Sequence, residues 1–305
     1  MSRGFESRPP AAASAREHPC VVAGNARART GQNERSAQES RMSLRDIETR
    51  FIHALSLHRR KKHRVHQDLT KAHELYQIST MSVLMEGLYD GHTTYEKLAE
   101  HGNFGLGTFN SLDGEMIAFD GSFYQILADG KARLVEPSMK TPFAVVIFFE
   151  PDIQLDLPNR MPWHEFEILL KQVAPSHLVF YAIRLEGTFE YIKLRNVTRQ
   201  QEPYAPLGDI VRGFPVLELR HVKGTMVGFR CPDYSSGINV PGYHLHFLDE
   251  ERETGGHVMT CTANGVRLQI DHTFNLRMEI PEMFVFDEQA RRQPPGEGQS
   301  GTAGR

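Results

Sequence analysis

A chain of 305 residues, 40% hydrophobic and 24% charged, has the balance of a globular protein and ample material for a core. That balance excludes collagen-like and wholly disordered chains, and a formal net charge of -3 offers no basic field for nucleic acid. The longest apolar runs, such as Phe143 to Phe149, fall far short of the roughly 18 residues of a membrane-crossing helix, so no membrane partner is expected. Three cysteines, Cys20, Cys231 and Cys261, form no CxxC pair and no disulfide scaffold, which places the chain in the cytoplasm by default.

Residues 1–41 contain no Leu, Ile, Tyr or Trp and read as a disordered N-terminal extension, with Met42 as the start of the chain proper. Their Arg content hints at a transit peptide, but an untidy extension is the simpler reading. Residues 42–74 read as a basic helical segment carrying the run Leu57 to Gln67, and Arg45, Asp46, Glu48 and Arg50 exclude a secretory h-region. Leu75, Ile78, Leu84, Met85 and Leu88 recur at roughly helical spacing up to Asp90-Gly91. Thr93 and Glu96 then form a capping box for a second short helix that stops at Gly102. Asp-Gly at 113–114, 120–121 and 129–130 punctuates short runs in the manner of a β-meander. Phe143 to Phe149 predicts a strand buried on both faces, and residues 163–173 an amphipathic helix. His177 to Arg195 predicts a hairpin turning at Glu186-Gly187. Strands are expected at Val216 to Val222, Met226 to Arg230, Tyr243 to Leu248, His257 to Cys261, Val266 to Asp271 and Leu276 to Ile280, with a tight turn at Asn264-Gly265. Residues 287–305 hold no large apolar side chain and read as a disordered tail. The fold class is α+β: largely antiparallel or mixed sheets in two β-rich halves, with a few flanking helices.

Histidine is the unusual residue, with fifteen in the chain. In Gly242-Tyr243-His244-Leu245-His246-Phe247 a strand places His244 and His246 on one face, because strand side chains alternate. Gly255-Gly256-His257 opens the next strand after a charged connection, so antiparallel pairing brings His257 beside them. Three imidazoles suit Zn²⁺ or a related divalent ion and leave positions open for substrate or water. A cupin also carries HxH followed by an acid, with Glu250 at a plausible offset, although the cupin glycine spacings do not fit.

Several strings together resemble α-acetolactate decarboxylase. They are Leu75-Tyr76-Gln77-Ile78-Ser79-Thr80, Leu88-Tyr89-Asp90-Gly91 and His101-Gly102-Asn103-Phe104-Gly105-Leu106-Gly107-Thr108-Phe109-Asn110. Leu112-Asp113-Gly114-Glu115, Asp120 to Gln125, Lys140 to Ala144, Gly242 to Leu248 and Gly255-Gly256-His257 follow in the same order. The resemblance implies a domain over residues 75–286. It implies a homodimeric lyase, with one Zn²⁺ per chain and no organic cofactor, that turns 2-acetolactate into (R)-acetoin and CO₂ in acetoin and butanediol biosynthesis. His244, His246 and His257 match the family's metal ligands, and Glu115 its metal-site glutamate. Arg195, in Tyr191-Ile192-Lys193-Leu194-Arg195, matches the residue assigned to substrate binding and protonation. The family has a further glutamate near its C-terminus; here Glu288 and Glu297 are the candidates, and neither sits in the family's helical context. A cupin-like oxygenase or isomerase, and a non-catalytic metal- or ligand-binding descendant of the same fold, are the competing readings.

Overall fold

The computed structural model describes residues 73–281. The expected extension at 1–41, the basic segment up to residue 72 and the tail at 287–305 lie outside the described residues, as do Cys20, Glu288 and Glu297.

The first half runs β1 (Glu74–Ile78), α1 (Met81–Met85), β2 (Thr93–Thr94), α2 (Tyr95–Ala99), β3 (Phe104–Thr108), β4 (Glu115–Phe119), β5 (Ser122–Ile126), β6 (Ala132–Leu134), β7 (Lys140–Thr141) and β8 (Ala144–Ile147). The second runs β9 (Ile153–Pro162), α3 (Trp163–Val173), β10 (Phe180–Arg195), α4 (Leu207–Ile210), β11 (Val216–Cys231), β12 (Gly242–Asp249), β13 (Gly255–Thr273) and β14 (Asn275–Glu279). The architecture is α+β. Seven strands form one sheet in the order β14-β1-β8-β3-β4-β5-β6, antiparallel throughout except where β14 returns beside β1. Five form a second antiparallel sheet, β10-β11-β12-β13-β9, which closes on itself because β13 also pairs with β10.

Three apolar clusters hold these layers. One fills the seam between the sheets, with Leu106, Ile117 and Val145 meeting Ala182, Val227 and Phe229. A second fills the barrel under α3, and a third packs Tyr95 and Leu98 of α2 on the outer face of the seven-stranded sheet.

The meander and α3 follow the expected pattern. Asp120 and Gly121 both adopt positive φ, 53° and 77°, the backbone that a two-residue hairpin needs between β4 and β5. β8 is buried at every position between β1 and β3.

Four expectations need correction. Leu75 and Ile78 lie in strand β1, not in a helix; β1 is buried on both faces, so its apolar residues imitate an i, i+3 spacing. The helix there is confined to Met81–Met85, capped by Thr80, whose side chain accepts from the Val83 N–H. For α2 the cap is Thr94 rather than Thr93, its Oγ1 accepting from the Lys97 N–H. Glu186-Gly187 and Asn264-Gly265 are not turns at all. Both lie inside long strands, β10 and β13, at shifts of register where a Cβ on Gly187 would stand 2.2 Å from the Gly265 carbonyl oxygen. The glycines let two barrel strands cross closely and bend. Likewise the runs 216–222 and 226–230 are one strand, β11.

An ionic knot ties the start of β1 to the end of β13. His73 Nδ1 lies 2.6 Å from Asp271 Oδ1, His272 Nδ1 lies 3.0 Å from Asp152 Oδ2, and the Glu150 N–H donates to Asp271 Oδ2 at 2.7 Å. Burial disfavours the His73 cation, but its hydrogen bond to Asp271 and the charges of Asp271 and Asp152 outweigh this and raise its pKa. A raised histidine stabilises fully below its ordinary value of 6.5 and loses that contribution as pH rises through the folded value. His73→Gln is therefore expected to lower the melting temperature by several degrees near pH 6 and by much less near pH 9. A pH-independent difference between the two proteins would contradict this.

Candidate metal centre

Alternation along β12 decides where its side chains go. Leu245 and Phe247 point into the barrel cluster, so His244 and His246 face the seam with the seven-stranded sheet. His257 enters as the third residue of β13 and is the direct cross-strand partner of His246. Ring centroids stand 5.1–5.4 Å apart in all three pairs. One ligand atom from each ring lies within 4.8 Å of those of the other two.

The protonation pattern follows from burial. His246 is 1% exposed, and burial lowers its pKa to about 4; burial and the neighbouring histidines, with Arg195, push His244 and His257 well below the ordinary value. Near neutral pH all three rings are uncharged, each with one bare nitrogen lone pair. His246 shows which nitrogen that is. Its Nδ1 lies 2.7 Å from the Met116 carbonyl, which can only accept, so Nδ1 carries the proton and Nε2 presents the lone pair. His246 Nε2 and His244 Nδ1 are buried and have no hydrogen-bond partner. Buried ring nitrogens left unpaired are costly, and a divalent cation would satisfy a lone pair on each of these two rings together with His257.

Glu115 opens β4 and lies beside this group, its Oε2 3.5 Å from His246 Nε2. Burial lifts its pKa to about 8, against the pull of the Arg195 charge and of a hydrogen bond from the Val197 N–H. Arg195 ends β10, paired in register with His257. Glu115, Arg195, His244 and His257 border a pocket whose remaining wall is largely apolar and includes Leu112, Val197, Leu207, Val211 and Phe214.

The fold thus brings all five expected site residues together. Glu250 does not join them: it sits on the exposed connection after β12, paired with Lys223 Nζ. The acid beside the imidazoles is Glu115. Sequence reasoning missed the Met116 carbonyl and the Val197 N–H, because a backbone group leaves no side-chain signature. It also missed the apolar wall on and around α4, to which Leu207 and Val211 contribute. Both remaining cysteines of the described region, Cys231 and Cys261, are buried, with thiols pushed up by burial, and neither is part of the site.

Comparison with known proteins identifies the family of the chain. The family model described as alpha-acetolactate decarboxylase matches residues 75–291. The alpha-acetolactate decarboxylase of Methylococcus capsulatus is 49% identical over 245 residues, spanning 80% of this chain and 93% of that protein. The Bacillus licheniformis protein of the same name is 45% identical over 213 residues, spanning 70% and 84%. A crystal structure of alpha-acetolactate decarboxylase from Bacillus subtilis superposes with a TM-score of 0.67 at 40% identity, covering 68% of this chain and 89% of its own. With matches of this extent over the whole described fold, the chain belongs to the α-acetolactate decarboxylase family and is an enzyme.

Proposed function

We propose that this enzyme decarboxylates 2-acetolactate to (R)-acetoin and CO₂, in acetoin and butanediol biosynthesis, with one Zn²⁺ per chain held by His244, His246 and His257 and flanked by Glu115. The observation that carries the reading is the trio of uncharged, buried imidazoles, two with orphaned nitrogens, beside a guanidinium and a carboxylic acid. A cation held there would supply a Lewis acid for the ketone and hydroxyl oxygens of the substrate.

The chain's own residues account for the rest. Arg195 offers a planar fork of N–H donors that fits the substrate carboxylate. When the C–C bond to CO₂ breaks, its electron pair moves onto the substrate's own ketone, so no organic cofactor is required. The carbon that lost CO₂ then needs a proton. A guanidinium stays protonated and is a poor donor, whereas the Glu115 carboxyl, buried at the pocket beside Arg195, is the group placed to carry the proton. Delivery from one fixed side gives one enantiomer. The apolar wall keeps bulk water from the reacting carbon.

Homodimer formation and a cytoplasmic setting complete the proposal; among the described residues no helix is long and apolar enough to cross a membrane. Metal analysis of the purified protein, with an acetoin assay on racemic 2-acetolactate, tests the reading. Close to one zinc per chain with chiral acetoin formed is the expected result. Metal without acetoin would support a non-catalytic binding protein instead, and turnover that requires O₂ or ferrous iron would support an oxygenase.

A further inference from the structure

Arg195, Asn196 and Val197 are consecutive, and extended backbone sends their side chains to alternate sides. Arg195 and Val197 border the pocket, and the Val197 N–H donates to Glu115. Asn196 faces the other way and is 1% exposed. Its own N–H donates to the Pro215 carbonyl at 3.1 Å, and its Nδ2 donates to the Gly255 carbonyl at 3.3 Å. Its Oδ1 has no hydrogen-bond partner and rests against Gly256, where an added Cβ would stand 2.2 Å away. Gly255 is held from its other side by an N–H bond to the Gly130 carbonyl at 2.9 Å, in the turn between β5 and β6. One carboxamide therefore touches the two residues that precede His257, while its flanking residues supply the guanidinium and the amide that reach Glu115.

We propose that Asn196 is a positioning residue: it seats the 195–197 segment on Gly255-Gly256, so that Arg195, the Val197 amide and His257 share one frame. The inference rests on the reading of the histidine trio as the metal site. It also gives Gly256 a reason, since a side chain there would collide with the carboxamide. Asn196→Ala changes no pocket-lining side chain but removes the seat. Supporting partners of metal ligands affect metal affinity or activity by roughly 10–100-fold when removed, and small displacements of reacting groups cost about as much in rate.

The test measures Zn²⁺ affinity by chelator competition, together with kcat and KM for 2-acetolactate, in four proteins: the parent, Asn196→Ala, Gly256→Ala and the double variant. Asn196→Ala is expected to weaken Zn²⁺ binding about 10-fold or more and, with zinc saturating, to lower kcat by a similar factor with a smaller change in KM. Gly256→Ala should weaken Zn²⁺ binding further, and adding Asn196→Ala should recover part of that loss, because the clash has lost its partner. Strict additivity, or an Asn196→Ala protein within twofold of the parent in both affinity and kcat, overturns the inference. So does a fall in melting temperature with both quantities unchanged, the mark of a merely structural residue. Should Asn196→Ala not fold, Asn196→Ser is judged by the same two quantities and thresholds. A parent that neither binds zinc nor forms acetoin would instead refute the site reading on which the inference stands.

Discussion

His257→Ala is expected to lose bound zinc and turnover together, with kcat/KM down by roughly 10³-fold or more. The size follows from the architecture. Three neutral donors converge in a pocket whose other partners are a carboxylic acid and a guanidinium, so removing one imidazole leaves only two strong donors for the cation. Lewis-acid stabilisation amounts to several kcal/mol, and each ~1.4 kcal/mol is a factor of ten in rate. The position matters as well as the ligand. His257 pairs directly with both His246 and Arg195, so it stands between the strand that carries the other two histidines and the strand that presents the guanidinium. Metal content by emission spectroscopy and acetoin formation are read on the same preparation, with circular dichroism to confirm the fold. A His257→Ala protein that keeps close to one zinc per chain, or turns over within tenfold of the parent, would remove His257 from the proposed site.

The same residue shows how much of the site was legible in the chain. The i, i+2 spacing of His244 and His246 and the hairpin distance to His257 are local facts, and strand alternation turns them into a shared face without any knowledge of the tertiary fold. Glu115 and Arg195 are different. Each comes from a different sheet, 80 residues apart in the chain, and only the packing of the seven-stranded sheet against the barrel brings them together. Nothing in their own neighbourhoods announces it, so they were accessible through family resemblance alone. The groups that set the site's chemistry were less accessible still. The Met116 carbonyl fixes which nitrogen of His246 is free, and the Val197 N–H opposes the rise that burial imposes on the Glu115 pKa; both are main-chain groups.

For the fold, the readings that failed share a cause. Local turn signals assume that a glycine after an acidic or amide residue reverses the chain. At Asp120-Gly121 it does, because the residues on either side pair with each other. At Glu186-Gly187 and Asn264-Gly265 the flanking residues pair with other strands instead, and the glycines serve close passage between β10 and β13. Which outcome holds depends on partners dozens of residues away, beyond the reach of any local pattern. The strand β1 failed for a related reason: burial on both faces erases the alternation that distinguishes a strand from a helix.

Arg195→Lys is expected to keep the metal and lose the rate, with kcat/KM down about 10²-fold and zinc content unchanged. The substitution retains a positive charge near Glu115, His244 and His257, where the Arg195 charge opposes protonation of all three. The imidazoles therefore remain neutral and the metal site remains competent. What lysine cannot reproduce is the rigid pair of parallel N–H donors that orients a carboxylate, and orientation governs whether the C–C bond to CO₂ lies where its electrons can enter the neighbouring carbonyl. Arg195→Met separates the two contributions. It removes the charge as well, so Glu115 should rise further above about 8 and the rate should fall below that of the lysine variant. If Arg195→Lys turns over at the parent rate, the guanidinium is not the carboxylate fork. If the lysine and methionine variants are equally slow with zinc still bound, shape alone is the contribution and the charge is dispensable. The proposed mechanism requires the graded order, parent above lysine above methionine, because it asks Arg195 both to hold an anion and to keep the Glu115 pKa from rising further.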